Sequence, residues 1–173
     1  MSVKTIVKMG NAQLATPSLP VEDPTKPRRE IGQLIEDLLD SMNDNGGVGI
    51  AAPQIGHNLR VIVFGFEVNA RYPDKDSVPF TVLINPTFKT LSQEMVDGWE
   101  GCLSVPGLRG LVPRYQHIEY SGYDLKGQLI TRVVDGFHAR VLQHEYDHLD
   151  GILYPERITD MKCFGFEDEL LRR

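Results

Sequence analysis

Cysteine is scarce in this chain. Two residues in 173 cannot build the disulfide framework of a small secreted domain, and they point to a reducing compartment. Long apolar runs are missing as well: the stretch from 59 to 66 is less than half of the roughly 20 residues that a membrane-spanning helix needs. The N-terminal segment lacks the apolar core of a secretory signal. Positive charge is in deficit, with 18 Lys and Arg against 24 Asp and Glu and a net charge of −6. That balance offers no broad cationic face for nucleic acid or an anionic bilayer, so neither DNA nor a membrane is expected as a partner. No repeat, low-complexity block or charged tail interrupts the chain, which excludes solenoids and fibrous assemblies. What remains is average globular usage, 41% hydrophobic and 24% charged, in a length that suits one domain over 1–173 with one sizeable core. The expected location is cytoplasmic.

Proline and glycine mark the joints. After Pro17, Pro20, Pro24 and Pro27, the segment 28–44 places Ile31, Leu34, Ile35, Leu38, Leu39 and Met42 at helical spacing, and Gly46-Gly47 stops it. This stripe reads as core packing without chemistry. The β-branched and aromatic content of 59–66, 80–90 and 92–98 predicts strands, with Asn85-Pro86 as a break or edge in the second. Segments 114–123 and 127–135 read as a hairpin turned at Asp124 to Gly127. Helix returns over 137–150 and again, briefly, around 167–172. Mostly local strand connections favour antiparallel pairing, and the class is α+β.

The strongest chemical signal is His144-Glu145-Tyr146-Asp147-His148, an H-E-x-x-H pattern inside the predicted helix. At about 100° per residue, histidines four apart project roughly 40° from one another, so both imidazoles reach one metal ion. Glu145 lies about 100° round the helix from His144. That offset suits hydrogen bonding to a water at the metal, which is where a general base belongs. Phe137, Val141, His144 and His148 share one stripe, so apolar residues line up beside the proposed metal. His138, His57 and His117 fall outside it and read as ordinary histidines.

Two histidines hold a metal poorly, so a third ligand is required. Spacing leaves Glu167, Glu169 and Cys102 open. Cys102 sits in Glu100-Gly101-Cys102-Leu103-Ser104-Val105-Pro106-Gly107, read as a glycine-punctuated loop with an accessible thiolate. Cys163 reads as a small buried hydrophobe. A third segment, Gly47-Val48-Gly49-Ile50-Ala51-Ala52-Pro53-Gln54, lacks the Lys-Ser/Thr of a P-loop and follows no strand. Its small residues suit close backbone approach, and Gln54 offers an amide donor able to polarise a carbonyl.

Together, in this order, these three segments resemble the peptide deformylases. The likeness covers nearly the whole chain, and Ser104-Val105-Pro106-Gly107 with the long first helix resembles the bacterial and organellar branch. The resemblance implies antiparallel sheets packed around a central metal-binding helix. It implies removal of the formyl group from the N-terminal formyl-methionine of nascent chains, with release of formate. Under it Cys102, His144 and His148 bind one divalent ion, Fe2+ in the cell with Zn2+, Ni2+ or Co2+ as substitutes, and Glu145 is the base. Gln54 and the Leu103 N–H stabilise the oxyanion. The peptide pairs with backbone at Val48, Gly49 and Gly101, and its methionine enters a pocket walled by Val48, Phe137 and Val141. Arg109 contacts the peptide further along, and Glu100 with Arg114 forms a supporting ion pair. An acidic final helix allows at most weak association with the ribosome. The oligomeric state is left open.

Trp99, His138 and Arg140 depart from the family pattern, and are expected at the pocket rim or an oligomer contact, away from the catalytic set. Three other readings have distinct signatures. A metalloendopeptidase would use His144, His148 and Glu167. A metal-stabilised binding module would release no formate. A cysteine hydrolase would pair Cys102 with His117.

Overall fold

The computed structural model describes residues 3–70 and 72–170. The first long element is α1, Arg29–Asp44, and its apolar stripe does what its spacing dictates: Ile31, Leu34, Ile35, Leu38 and Met42 are buried. Each such side chain contributes at most about 1.5–3 kcal/mol of burial free energy. They pack on Ile50, Val61 and Val63, which belong to strands β1 (Gly49–Ala51) and β2 (Val61–Phe66). The helix stops at Asn45, followed by Gly46 in the left-handed region at φ 60°.

The remaining elements are β3 (Val78–Thr90), β4 (Met95–Cys102), β5 (Val105–Tyr115), β6 (His117–Tyr123), β7 (Leu129–Asp135), α2 (Gly136–Leu149), β8 (Phe164–Phe166) and α3 (Glu167–Leu170). Two antiparallel sheets result, one ordered β1-β2-β3-β6-β7 and the other β4-β5-β8. The fold is α+β, as the local connections predicted.

Three expectations shift in detail. Asn85-Pro86, expected as a break or edge, is a break in register inside the second strand and not an edge. Asn85 takes φ 51°, the register with β6 slips between Ile84 and Thr87, and β3 continues. The Asn85 side chain is fixed there because it accepts from the Val21 N–H at 2.8 Å and donates to the Val21 carbonyl at 2.9 Å. The strand expected to begin at 114 is split between β5, which ends at Tyr115, and β6, which begins at His117. Pro106, Gly107, Gly110 and Pro113 hid β5, yet β4 pairs along it from Met95↔Tyr115 to Cys102↔Val105. The final helix is observed over Glu167–Leu170, and the rest of the expected span lies outside the described residues.

Helix α2 packs on β1, β2, β5 and β7, so polar side chains along it are buried beside apolar ones. Gln143 and Asp147 survive there because they have partners. Gln143, for example, clamps Tyr115 by accepting from its N–H at 3.1 Å and donating to its carbonyl at 2.9 Å.

Candidate active site

The tertiary fold brings the end of β4 against α2. Cys102, His144 and His148 each offer a ligand atom, and these atoms lie within 4.8 Å of one another. Cys102 Sγ is 3.3 Å from His148 Nε2. Cys102 is not in an accessible loop as expected. It is the last residue of β4, 5% exposed, with the turn Leu103-Ser104 leading directly into β5. Burial raises its thiol pKa, but the flanking His148 and His144 imidazoles win and hold it well below the ordinary value.

His144 is oriented from behind. Its Nδ1 bonds Glu100 Oε2 at 2.8 Å, which leaves Nε2 for the Cys102 thiol side. Glu100 in turn meets Arg114 fork to fork, with Nε and Nη2 each donating at 2.9 Å. Burial opposes the Glu100 charge, but the Arg114 guanidinium and His144 hold its carboxyl well below the usual range. The ion pair extends further than expected. Arg114 Nη1 donates to Asp147 at 2.5 Å, and Asp147 also accepts from Arg157 at 2.7 Å. The second acidic residue of the H-E-x-x-H segment therefore faces away from the metal site and ties α2 to β5 and to the turn after the helix.

Glu145 is 4% exposed, and burial pushes its carboxyl up to about 7 against the pull of the two imidazoles. Among the described residues its Oε2 is buried with no hydrogen-bond partner, and so is His148 Nδ1. Gly49 leaves it room: a Cβ there would fall within 2.9 Å of Glu145 Cγ and Cδ. Gln54 is fixed by the Ala51 N–H, which donates to Oε1 at 2.8 Å, so its amide nitrogen faces Ser104 Oγ at 3.1 Å and Cys102 Sγ at 3.5 Å. One thiolate and two imidazoles, with two orphaned polar atoms beside them, form a donor set that fits Fe2+, Zn2+, Co2+ or Ni2+.

Val48, Gly49, Gly101, Leu103, Phe137 and Val141 line the cleft over this cluster. Phe137 is held edge-on against Phe66 at 5.8 Å and lies 4.9 Å from Tyr72. Arg109 lies outside it, in the adjoining groove, where its guanidinium sits 5.2 Å over the Tyr72 ring and pairs with Glu167 at 2.7 Å. Glu167 is thus engaged away from the imidazoles, which removes it as a third ligand. His117 lies 3.7 Å from Glu94, while Cys102 has His144 and His148 as neighbours, which removes the Cys102–His117 pair. His138 is a packing residue beside Tyr120 Oη at 3.2 Å.

Arg140 corrects an expectation. It does not stay at the rim, because its Nη1 donates to Glu100 Oε1 at 2.9 Å, on the carboxylate that holds His144. Sequence reasoning missed Arg140, Asp147, Arg157, Ser104 and Tyr72. Charged residues on a mostly buried helix were the available signal for Arg140 and Asp147.

Three comparisons agree with this arrangement. The family model described as polypeptide deformylase matches residues 3–163. Peptide deformylase 2 of Ralstonia nicotianae is 55% identical, and peptide deformylase 1 of Bordetella pertussis 56%, each over 97% of this chain and 94% of its own length. The crystal structure of the Met-Ala-Ser-bound class I type b peptide deformylase from Acinetobacter baumannii superposes with a TM-score of 0.86 at 40% identity, over 91% of this chain and all of that one.

Proposed function

Because the chain belongs to the polypeptide deformylase family, its activity is removal of the N-formyl group from the N-terminal methionine of new polypeptides, and we propose how its residues divide that work. Cys102, His144 and His148 hold one divalent ion, ferrous in the cell. When bound, the ion polarises the formyl oxygen and lowers the pKa of water. Glu145 Oε2 takes a proton from the attacking water and returns it to the departing amine nitrogen. Its burial suits that task, since desolvation raises the carboxyl's affinity for a proton. Gln54 Nε2 and the Leu103 N–H donate to the oxygen that gains negative charge. The anchoring of Gln54 by Ala51 means that little reorganisation is needed.

The substrate peptide enters between two open sheet edges. β1 ends the five-stranded sheet and β4 ends the three-stranded one, and both border the cleft. An extended peptide adds there as a strand, pairing with Val48, Gly49 and Gly101, and its methionine reaches the wall of Val48, Phe137 and Val141. Arg109 meets later residues in the adjoining groove. No helix among the described residues is long and apolar enough to cross a membrane. A reducing cytoplasm suits the free thiol of Cys102. Nascent chains are the proposed partners, and the acidic first turn of α3 supports no more than weak ribosome association.

The observation that carries this reading is the convergence of one buried thiolate and two imidazoles beside a buried carboxylate with an unpartnered oxygen. The test is formate release from a formyl-Met peptide and no reaction with its acetyl analogue, alongside metal analysis. One metal per chain and activity lost on chelation are expected. Bound metal without formate release would favour a binding module instead.

A further inference from the structure

Arg140 stands one helical turn before His144 on α2, and both side chains end on the same carboxylate. His144 Nδ1 bonds Glu100 Oε2 at 2.8 Å, and Arg140 Nη1 donates to Glu100 Oε1 at 2.9 Å. The same guanidinium also donates to the carbonyls of Gly98 at 3.3 Å, Val112 at 2.8 Å and Val96 at 2.5 Å. It therefore spans both β4 and β5 and fixes the strand that ends in Cys102. Its seat is specific. A Cβ at Gly98 would come within 2.6–2.7 Å of Arg140 Cζ, Nε and Nη2, so a side chain there displaces the guanidinium from this seat.

From this geometry we infer that Arg140, seated on Gly98, is a positioning residue for the metal site. It sets the Glu100 carboxylate that aims His144, and it holds the Cys102 strand at its distance from α2. The bidentate Glu100–Arg114 pair ties the carboxylate to β5 only. A second donor on Oε1, from the helix that carries His144, ties it to α2 as well and couples two of the three ligands to one side chain. Partners of this kind, one shell behind a ligand, typically change metal affinity about 10–100-fold when removed. The inference rests on Cys102, His144 and His148 being the ligands.

The test uses full-length enzyme loaded with Co2+. Release to a chromogenic chelator is followed as a rate, and the visible d–d and thiolate charge-transfer bands report ligand geometry. Arg140→Ala is expected to release cobalt about 10-fold faster or more, with shifted d–d bands. Arg140→Lys, which keeps charge without the planar fork, falls between it and wild type. Gly98→Ala, which leaves Arg140 in the chain but denies its seat, moves in the same direction. The double variant releases no faster than Arg140→Ala, because Gly98 acts only through the guanidinium. Lys89→Ala, which removes an exposed positive charge, releases at the wild-type rate.

Unchanged release and spectrum in Arg140→Ala, with only a lowered melting temperature, would overturn the inference and make Arg140 a strand clamp. If Arg140→Ala does not fold, Gly98→Ala decides by the same two readouts. Wild-type enzyme that takes up no stoichiometric cobalt, or keeps it after Cys102→Ala, would instead defeat the ligand assignment.

Discussion

Adding one carbon at Gly49 tests the placement of the base without touching its chemistry. The new Cβ would lie 2.8 Å from Glu145 Cδ and 2.9 Å from Cγ. Ordinary carbon contacts need about 3.5–4.0 Å, so the carboxylate must move by roughly 0.7–1 Å. Gly49 is outside the left-handed region, and alanine keeps its N–H and carbonyl for peptide pairing. The closest overlap therefore falls on Glu145. A misplacement of about 1 Å in a catalytic group costs on the order of 100-fold in rate, or about 2.7 kcal/mol. Overpacking costs about 1–3 kcal/mol of stability, which a folded protein tolerates. Gly49→Ala is thus expected to retain metal and fold, to lose about two decades in kcat, and to change KM much less. The assay is steady-state formate release with metal content and thermal unfolding measured on the same sample. A kcat within about threefold of wild type would refute this reasoning, because it would mean that Glu145 works equally well from a displaced position.

Glu145→Gln preserves shape and removes the base, so it should keep one metal per chain and lose about 10²–10⁴ in turnover; near-normal turnover would strip Glu145 of the role. Phe137→Ala and Val141→Ala should each raise KM or weaken discrimination against smaller first residues, by about 1–3 kcal/mol in kcat/KM across a series of formyl-peptides. An unchanged profile in both would return them to the core. Iron-loaded enzyme should lose activity in air faster than nickel-loaded enzyme, with iron loss or oxidised Cys102 visible by mass spectrometry, and equal lifetimes would argue against ferrous iron. Burial lowers the His138 pKa to about 4, whereas the unfolded side chain titrates near 6.5. The unfolded chain therefore binds the extra proton first, and stability should fall as pH drops from about 6.5 to 4. His138→Gln should flatten melting temperature against pH in that window, and an identical slope would place the acid sensitivity elsewhere.

How much of this was legible follows from the range over which each feature is determined. Helix α1 could be read because its apolar residues repeat with the helical period and nothing distant is needed to define the face. The two histidines were legible for the same reason, since four residues of helix set their separation. β5 was not, because prolines and glycines mark turns when read locally, and only pairing with β4 along its length makes that segment a strand.

Cys102 lay beyond local reading altogether. Forty-two residues separate it from His144, spacing left Glu167 and Glu169 equally open, and the family resemblance, not geometry, singled it out. Its burial, too, was decided by the closing of β4 against α2. Arg140 shows the limit most plainly. As a charge on a helix it read as rim, and it reaches the Glu100 carboxylate behind His144 because a glycine far upstream leaves room for its guanidinium. The sequence by itself determined the helices, the paired histidines and the class of fold, all of which arise from short-range periodicity. Which thiol lies beside that pair, which charges back it and where Glu145 points were settled by tertiary structure, because those depend on which strand ends meet which helix face.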